Sequence, residues 1–121
     1  MRNGNNGEKT LSGKRSRTKG HSFERAVAIL FRKMGYSGAR RGLQYRDGDE
    51  APDVVGVDDL WVECKRGKRV GIKSAMMQAS AACGKKRPIV VSKEDRSPIY
   101  VTMDFRTFAE ILCHSTSTQE K

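Results

Sequence analysis

The sequence has few residues of the kinds that build disulfide frameworks or zinc sites. Its three cysteines are an odd number without C-x-x-C spacing, and its two histidines lie far apart, at positions 21 and 114. A disulfide framework usually has an even number of cysteines, and a structural zinc site usually has its Cys and His ligands paired at short spacings. We therefore expect no structural zinc and expect reduced thiols at Cys64, Cys83 and Cys113.

Long apolar runs and several catalytic motifs are also missing. No stretch approaches the roughly 20 apolar residues that span a bilayer, and the first residues lack the apolar core of a signal peptide. The chain has neither a G-x-x-x-x-G-K-[ST] loop for nucleotide triphosphates nor a G-x-S-x-G nucleophile elbow. These absences predict a soluble intracellular protein, cytoplasmic or nucleoid-associated, that belongs to neither enzyme class.

Basic residues are in large excess. Among 121 residues, 24 Lys and Arg stand against 14 Asp and Glu, which gives a net charge of +10. Such an excess favours a polyanionic partner, with nucleic acid as the default expectation. The length fits one compact domain.

Composition divides the chain into an arm, a domain and a tail. Residues 1–20 contain six Lys and Arg against one Glu and almost no large apolar side chain, so they cannot bury a core. This arm either solubilises the protein or contacts phosphates. The domain is predicted over residues 21–114, with Ser22 as the first N-cap. Residues 115–121 are polar and predicted to fray.

Hydrophobic periodicity predicts the element order αβββαββα. The class is α/β, with a mixed central sheet flanked by helices. The predicted elements are a helix with Phe23, Val27, Leu30 and Met34 buried and a stop at Gly35, a short strand and a charged loop up to Glu50, strands at Asp53–Val57 and Leu60–Lys65, a helix at Ile72–Cys83, strands at Pro88–Val91 and Ile99–Thr102, and a last helix capped by Asp104.

The central hairpin carries the charged residues of greatest interest. Because side chains alternate along a strand, Glu63 and Lys65 share one face with Trp61. A two-residue turn would leave Asp53 on the opposite face, whereas a three-residue connection pairs Asp53 with Glu63. We favour that longer connection, or a bulge near Gly56, because either one clusters the carboxylates.

Two carboxylates beside a lysine can bind a hard cation such as Mg²⁺. The metal would polarise a phosphoryl oxygen and lower the pKa of a bound water, and Lys65 could orient that water or stabilise developing negative charge. The alternative is structural: a surface ion pair between Glu63 and Lys65, with Asp53 merely starting its strand.

Pro52, Asp53, Glu63 and Lys65 resemble the PD-(D/E)XK nuclease motif, with nine residues between the two acidic positions. The run Lys19-Gly20-His21-Ser22-Phe23-Glu24-Arg25 is similar to the K-G-x-x-x-E-R start of the Holliday-junction resolvases of archaeal and phage type. Together the two motifs make the chain resemble this family from the first helix to the last.

The resemblance, over about residues 19–112, implies a restriction-endonuclease-like fold. It also implies a Mg²⁺-dependent endonuclease, with Mn²⁺ as a substitute metal, that cuts four-way DNA junctions as a homodimer. In that family the helix glutamate, here Glu24, joins Asp53 and Glu63 as a metal ligand, and Lys65 assists the attacking water. The alternative for Glu24 is a first-turn acid that complements the helix dipole.

A path for DNA phosphates is expected from basic residues around this site, although each could be a solvated charge. Gln78 resembles a glutamine often found near the family's site. Three loop acids, Asp47, Asp49 and Glu50, are either extra ligands or solvated. The predicted DNA contacts are Lys19, Arg25, Arg40, Arg41, Arg46, Arg66, Lys68, Arg69, Lys73 and Gln78.

Two other functions stay open. One is a different PD-(D/E)XK nuclease that acts on other branched DNA, on ends or on a specific sequence. The other is a noncatalytic basic module that binds nucleic acid and keeps its acidic cluster as structure. Dependence of cleavage on a divalent cation separates the binding module from the nucleases.

Overall fold

The computed structural model of this chain describes residues 19–43, 45–46 and 49–120. The predicted arm up to residue 18 and Asp47 therefore lie outside the described residues, as do the side chains of Arg46, Asp49 and Glu50. The helices are α1 (residues 19–33), α2 (Ile72–Ala82) and α3 (Phe105–Glu120), and the strands are β1 (Arg40–Arg41), β2 (Tyr45–Arg46), β3 (Asp49–Glu50), β4 (Val54–Val55), β5 (Leu60–Gly67), β6 (Arg87–Glu94) and β7 (Tyr100–Thr102).

A five-stranded mixed sheet in the order β1-β4-β5-β6-β7 forms the centre of the domain. β5 and β6 are parallel, and the other neighbouring strands are antiparallel. Parallel neighbours need a crossover connection, which α2 supplies. The predicted α/β class with a mixed sheet flanked by helices is confirmed.

The strand β5 separates two packed faces. Val62 and Cys64 belong to a core cluster that includes α1 residues such as Phe23 and Val27. Because side chains alternate, Trp61, Glu63 and Lys65 on the same strand point to the opposite face. α2 packs against β5 and β6 and buries Ala75.

The first helix begins earlier and buries a different stripe than the sequence predicted. Residue 19 is already helical, so Ser22 lies inside α1 and is not its N-cap. Leu30 and Met34 are exposed, because the stripe advances by four residues at each turn and not alternately by three and four. The buried α1 residues are Phe23, Glu24, Val27, Ala28 and Phe31. The helix therefore turns an acidic side chain toward the sheet.

Two regions contain more regular structure than predicted. β2 and β3 pair as a small antiparallel hairpin where a charged loop was expected. Strands of two residues pair through backbone groups and leave no hydrophobic pattern in the sequence. The last helix continues through Glu120, so residues 115–120 extend it and do not form a separate tail, since no Gly or Pro interrupts them.

The predicted helix ends around α2 and α3 are confirmed. α2 is followed by Gly84 with a φ of 57°, which lies in the left-handed region that favours glycine. Asp104 caps α3, because its Oδ1 accepts the Thr107 N–H at 2.7 Å. Within the described ranges, no helix is long and apolar enough to cross a membrane.

Candidate active site

The hairpin of β4 and β5 has the register that places Asp53 beside Glu63. Val54 lies opposite Val62, and the Asp53 N–H donates to the Val62 carbonyl at 2.8 Å. One residue further along the same antiparallel register, Asp53 is opposite Glu63. Residues 56–59 connect the two strands, and the register confirms the predicted placement of Asp53 opposite Glu63.

Gly56 makes the register sterically possible. Its φ of 83° lies in the region that L side chains rarely adopt. A Cβ at this position would also overlap the carbonyl oxygen of Gly38, in the turn that follows α1. The hairpin can therefore fold back closely only with glycine here.

Asp53, which is half-buried, and Glu63, which is buried, form a carboxyl pair. Burial raises the pKa of Asp53, and a hydrogen bond from the Cys64 N–H to its Oδ2, 2.7 Å long, opposes that shift. Burial also raises the pKa of Glu63 to about 7, and the negative charge of Asp53 adds to the increase. The two carboxyls are close enough to share a proton, which is typical of like charges held together without a full counter-charge.

Lys65 lies on the same face of β5, two residues after Glu63, and is half-buried. Its positive charge lowers the pKa of both carboxyls of the pair. The predicted constellation of two carboxyls and an ammonium is therefore assembled by one hairpin. Cys64, between them, faces the core, and burial raises the pKa of its thiol, so it is packed and not nucleophilic.

Glu24, on α1, lies close to Asp53. Burial raises its pKa, and the nearby charge of Asp53 raises it further. The Arg41 Nε, on β1, donates to Glu24 Oε1 at 2.8 Å, and the Arg41 charge also lowers the pKa of Asp53. Arg41 is therefore a resident cation of the carboxylate cluster. The sequence placed it only on a phosphate path.

Trp61 is the second residue whose role at the site the sequence did not reveal. Its side chain is buried on the face it shares with Glu63, and its Nε1–H donates to Glu63 Oε1 at 3.0 Å. In the sequence, the two-residue spacing of Trp61 and Glu63 indicated only that they share a face of the strand. That spacing does not show whether the two side chains form a hydrogen bond.

The three acidic residues do not form a ready-made three-ligand metal site. Over the part of the chain that the structure describes, no group of three His, Cys, Asp or Glu is arranged to hold a metal ion. The chemistry of the donors still fits a hard cation, because Asp53 and Glu63 offer carboxylate oxygens whose charge is under-compensated. Those two residues would hold Mg²⁺, while the third carboxylate, Glu24, already accepts a hydrogen bond from Arg41 through Oε1.

The predicted DNA contacts occupy different environments. Arg41 is bound to Glu24, and Asp95 holds both Arg66, at 2.7 Å, and Lys19, at 3.5 Å. The side chain of Arg46 lies outside the described residues. The other predicted contacts are exposed, namely Arg25, Arg40, Lys68, Arg69, Lys73 and Gln78.

Comparison with known proteins identifies no relative of this chain. No protein-family model matches the chain, and no curated protein or solved structure matches it. The site itself and the sequence motifs are therefore the indications of function.

Proposed function

We propose that the protein is a Mg²⁺-dependent endonuclease of restriction-endonuclease-like fold that hydrolyses phosphodiester bonds in branched DNA, with the four-way junction as its substrate. The observation that carries this proposal is the hairpin register, which pairs Asp53 with Glu63 and places Lys65 on the same face. A one-residue slip would have separated the carboxyls and removed the basis for a shared cation.

The carboxyl pair of Asp53 and Glu63 supports a cation-dependent reaction. A bound Mg²⁺ would polarise a phosphoryl oxygen and lower the pKa of a bound water. Asp53 and Glu63 supply the oxygen ligands, while the Lys65 ammonium orients the water or stabilises the negative charge that develops on the phosphate. The Cys64 N–H keeps the Asp53 carboxylate in one orientation through its 2.7 Å bond.

The surrounding charges support DNA as the substrate. The chain carries a net charge of +10, and Lys68 and Arg69 are exposed directly after β5, the strand that carries Glu63 and Lys65. Exposed cations next to a hydrolytic site can position a phosphate backbone without reading its sequence. Paired nicks in a four-way junction need two such sites, so the proposal includes a homodimer.

A noncatalytic DNA-binding module is the second candidate, and one contact favours it. The Arg41 Nε donates a hydrogen bond to Glu24 Oε1 at 2.8 Å, so the protein's own guanidinium partly neutralises the acidic cluster. In such a module the acidic cluster would be structural, and DNA would bind without being cut.

Cleavage assays with labelled DNA separate these candidates. Four-way junction, duplex and single-stranded substrates are incubated side by side with Mg²⁺, with Mn²⁺ or with chelator. The proposal predicts symmetric nicks confined to the junction and none with chelator. Cleavage of duplex or ends instead would indicate another nuclease, and binding without cleavage under either metal would indicate the module. Asp58→Asn, in the exposed turn of the same hairpin, is the matched control for Asp53→Asn.

A further inference from the structure

Trp61 donates a hydrogen bond to the side-chain carboxyl of Glu63. Both residues lie on one face of β5 and are buried, and the Nε1–H to Oε1 distance is 3.0 Å. The terminal torsion of a glutamate is broad, so a Glu carboxyl left alone samples many rotations. An indole donor on a rigid strand reduces this freedom.

We propose that Trp61 is a positioning residue, whose indole N–H fixes the Glu63 carboxylate in the rotation that receives a divalent cation together with Asp53. This inference rests on the proposed function, because it assumes that the carboxyl pair binds a cation. In this role Trp61 would orient a metal ligand without touching the metal. In other metal sites, the loss of such a hydrogen-bond partner weakens metal binding.

The bond also has a purely structural explanation. A buried indole N–H needs an acceptor, and Glu63 Oε1 is within reach. In that case, removal of the donor would lower stability but would leave the affinity for cations unchanged. Cation affinity is therefore the readout that a structural role does not alter.

The chain has one tryptophan, so its fluorescence reports this indole alone. Cation binding at Glu63 withdraws electron density from the oxygen that accepts the indole N–H, and the emission should change with it. In the wild-type protein we expect a saturable emission change on addition of Mg²⁺ that chelator reverses. Glu63→Gln keeps an acceptor for the indole but loses the charge, and it should abolish the change.

Calorimetric titration of the full chain with Mn²⁺ tests the positioning role. Trp61→Phe keeps a buried ring without the donor, and we expect it to bind Mn²⁺ about tenfold more weakly than wild type. Asp58→Asn should bind like wild type. Circular dichroism and thermal unfolding confirm that each variant is folded at the titration temperature.

The outcomes are distinguishable. Equal Mn²⁺ affinity in wild type and folded Trp61→Phe overturns the inference and leaves the proposed function standing. No Mn²⁺ binding by wild type overturns the cation site and the inference with it. If Trp61→Phe does not fold, the wild-type titrations decide: calorimetric binding without any change in tryptophan emission overturns the inference, and binding with a Glu63-dependent change supports it.

Discussion

Arg41 and Glu24 form a part-buried ion pair between β1 and α1, with Nε and Oε1 2.8 Å apart. The Arg41 charge also lowers the pKa of Asp53, so one guanidinium stabilises the ionised form of two acidic residues. A divalent cation at Asp53 and Glu63 would be repelled by this resident charge. In the proposed metal site, the affinity for a cation would therefore depend partly on the protein's own arginine.

We expect Arg41→Met to bind Mn²⁺ about five- to tenfold more tightly than wild type, because a nearby positive charge is removed and Glu24 is released. Arg40→Met is the matched control, since it removes the same charge from an exposed neighbour that does not contact Glu24. Calorimetry measures both. Weaker binding in Arg41→Met would show that Arg41 organises the site and does not compete with the metal.

Three substitutions should separate catalysis from binding. Asp53→Asn, Glu63→Gln and Lys65→Ala are each expected to reduce junction cleavage at least about a hundredfold, because they act on the metal and the water. Junction binding, measured by mobility shift, should stay largely intact, since most phosphate contacts lie elsewhere. Near-wild-type cleavage by any of the three at saturating Mg²⁺ would contradict its assigned role.

The raised pKa of Glu63, about 7, predicts pH-dependent cation binding. A protonated carboxyl is a poor ligand, so Mn²⁺ affinity should increase as the pH rises from 6 through about 7 to 8. Calorimetry across this range checks the prediction. A pH-independent affinity would indicate that Glu63 is ionised throughout or is not a ligand.

The same shift predicts how stability varies with pH when metal is absent. The folded pKa is raised above the ordinary value of 4.5, so the folded state binds more protons between pH 4.5 and about 7. The contribution of Glu63 to the free energy of unfolding is therefore greatest below pH 4.5, and it decreases as the pH rises through about 7. The pKa values of Asp53 and Glu24 are raised as well, and their contributions have the same sign.

In chelator at pH 8, Glu63→Gln should be more stable than wild type, by on the order of 2 kcal/mol, because an ionised carboxyl no longer has to be buried. At pH 4.5 the difference should nearly vanish. Denaturant unfolding at the two pH values measures it. A variant less stable than wild type at pH 8 would contradict the sign of the Glu63 shift.

The basic arm gives a prediction of its own. Deletion of residues 1–18 removes five Lys and Arg, so it should weaken DNA binding and flatten the dependence of affinity on salt. Cleavage at saturating protein should persist, because the carboxyl pair is intact. An unchanged salt slope would show that the arm is only a solvated extension.

The sequence revealed those parts of the site that lie close together along the chain. Strand alternation placed Lys65 beside Glu63, and the turn lengths it left open were resolved in favour of the one that clusters Asp53 with Glu63. The contact between Arg41 and Glu24 joins two elements, and it depends on a helix stripe that local periodicity assigned to Leu30 and Met34. Contacts of this kind are decided by packing, which single-sequence patterns do not contain.

Anomalous diffraction from crystals of the protein grown or soaked with Mn²⁺ is the decisive test of a cation site at Asp53 and Glu63. We expect a peak between the two carboxylates, about 2.0–2.6 Å from their oxygens. The peak should be absent from crystals of Asp53→Asn. No peak at this pair under saturating Mn²⁺, or bound Mn²⁺ only at other residues, would contradict a metal-dependent nuclease centre on this hairpin.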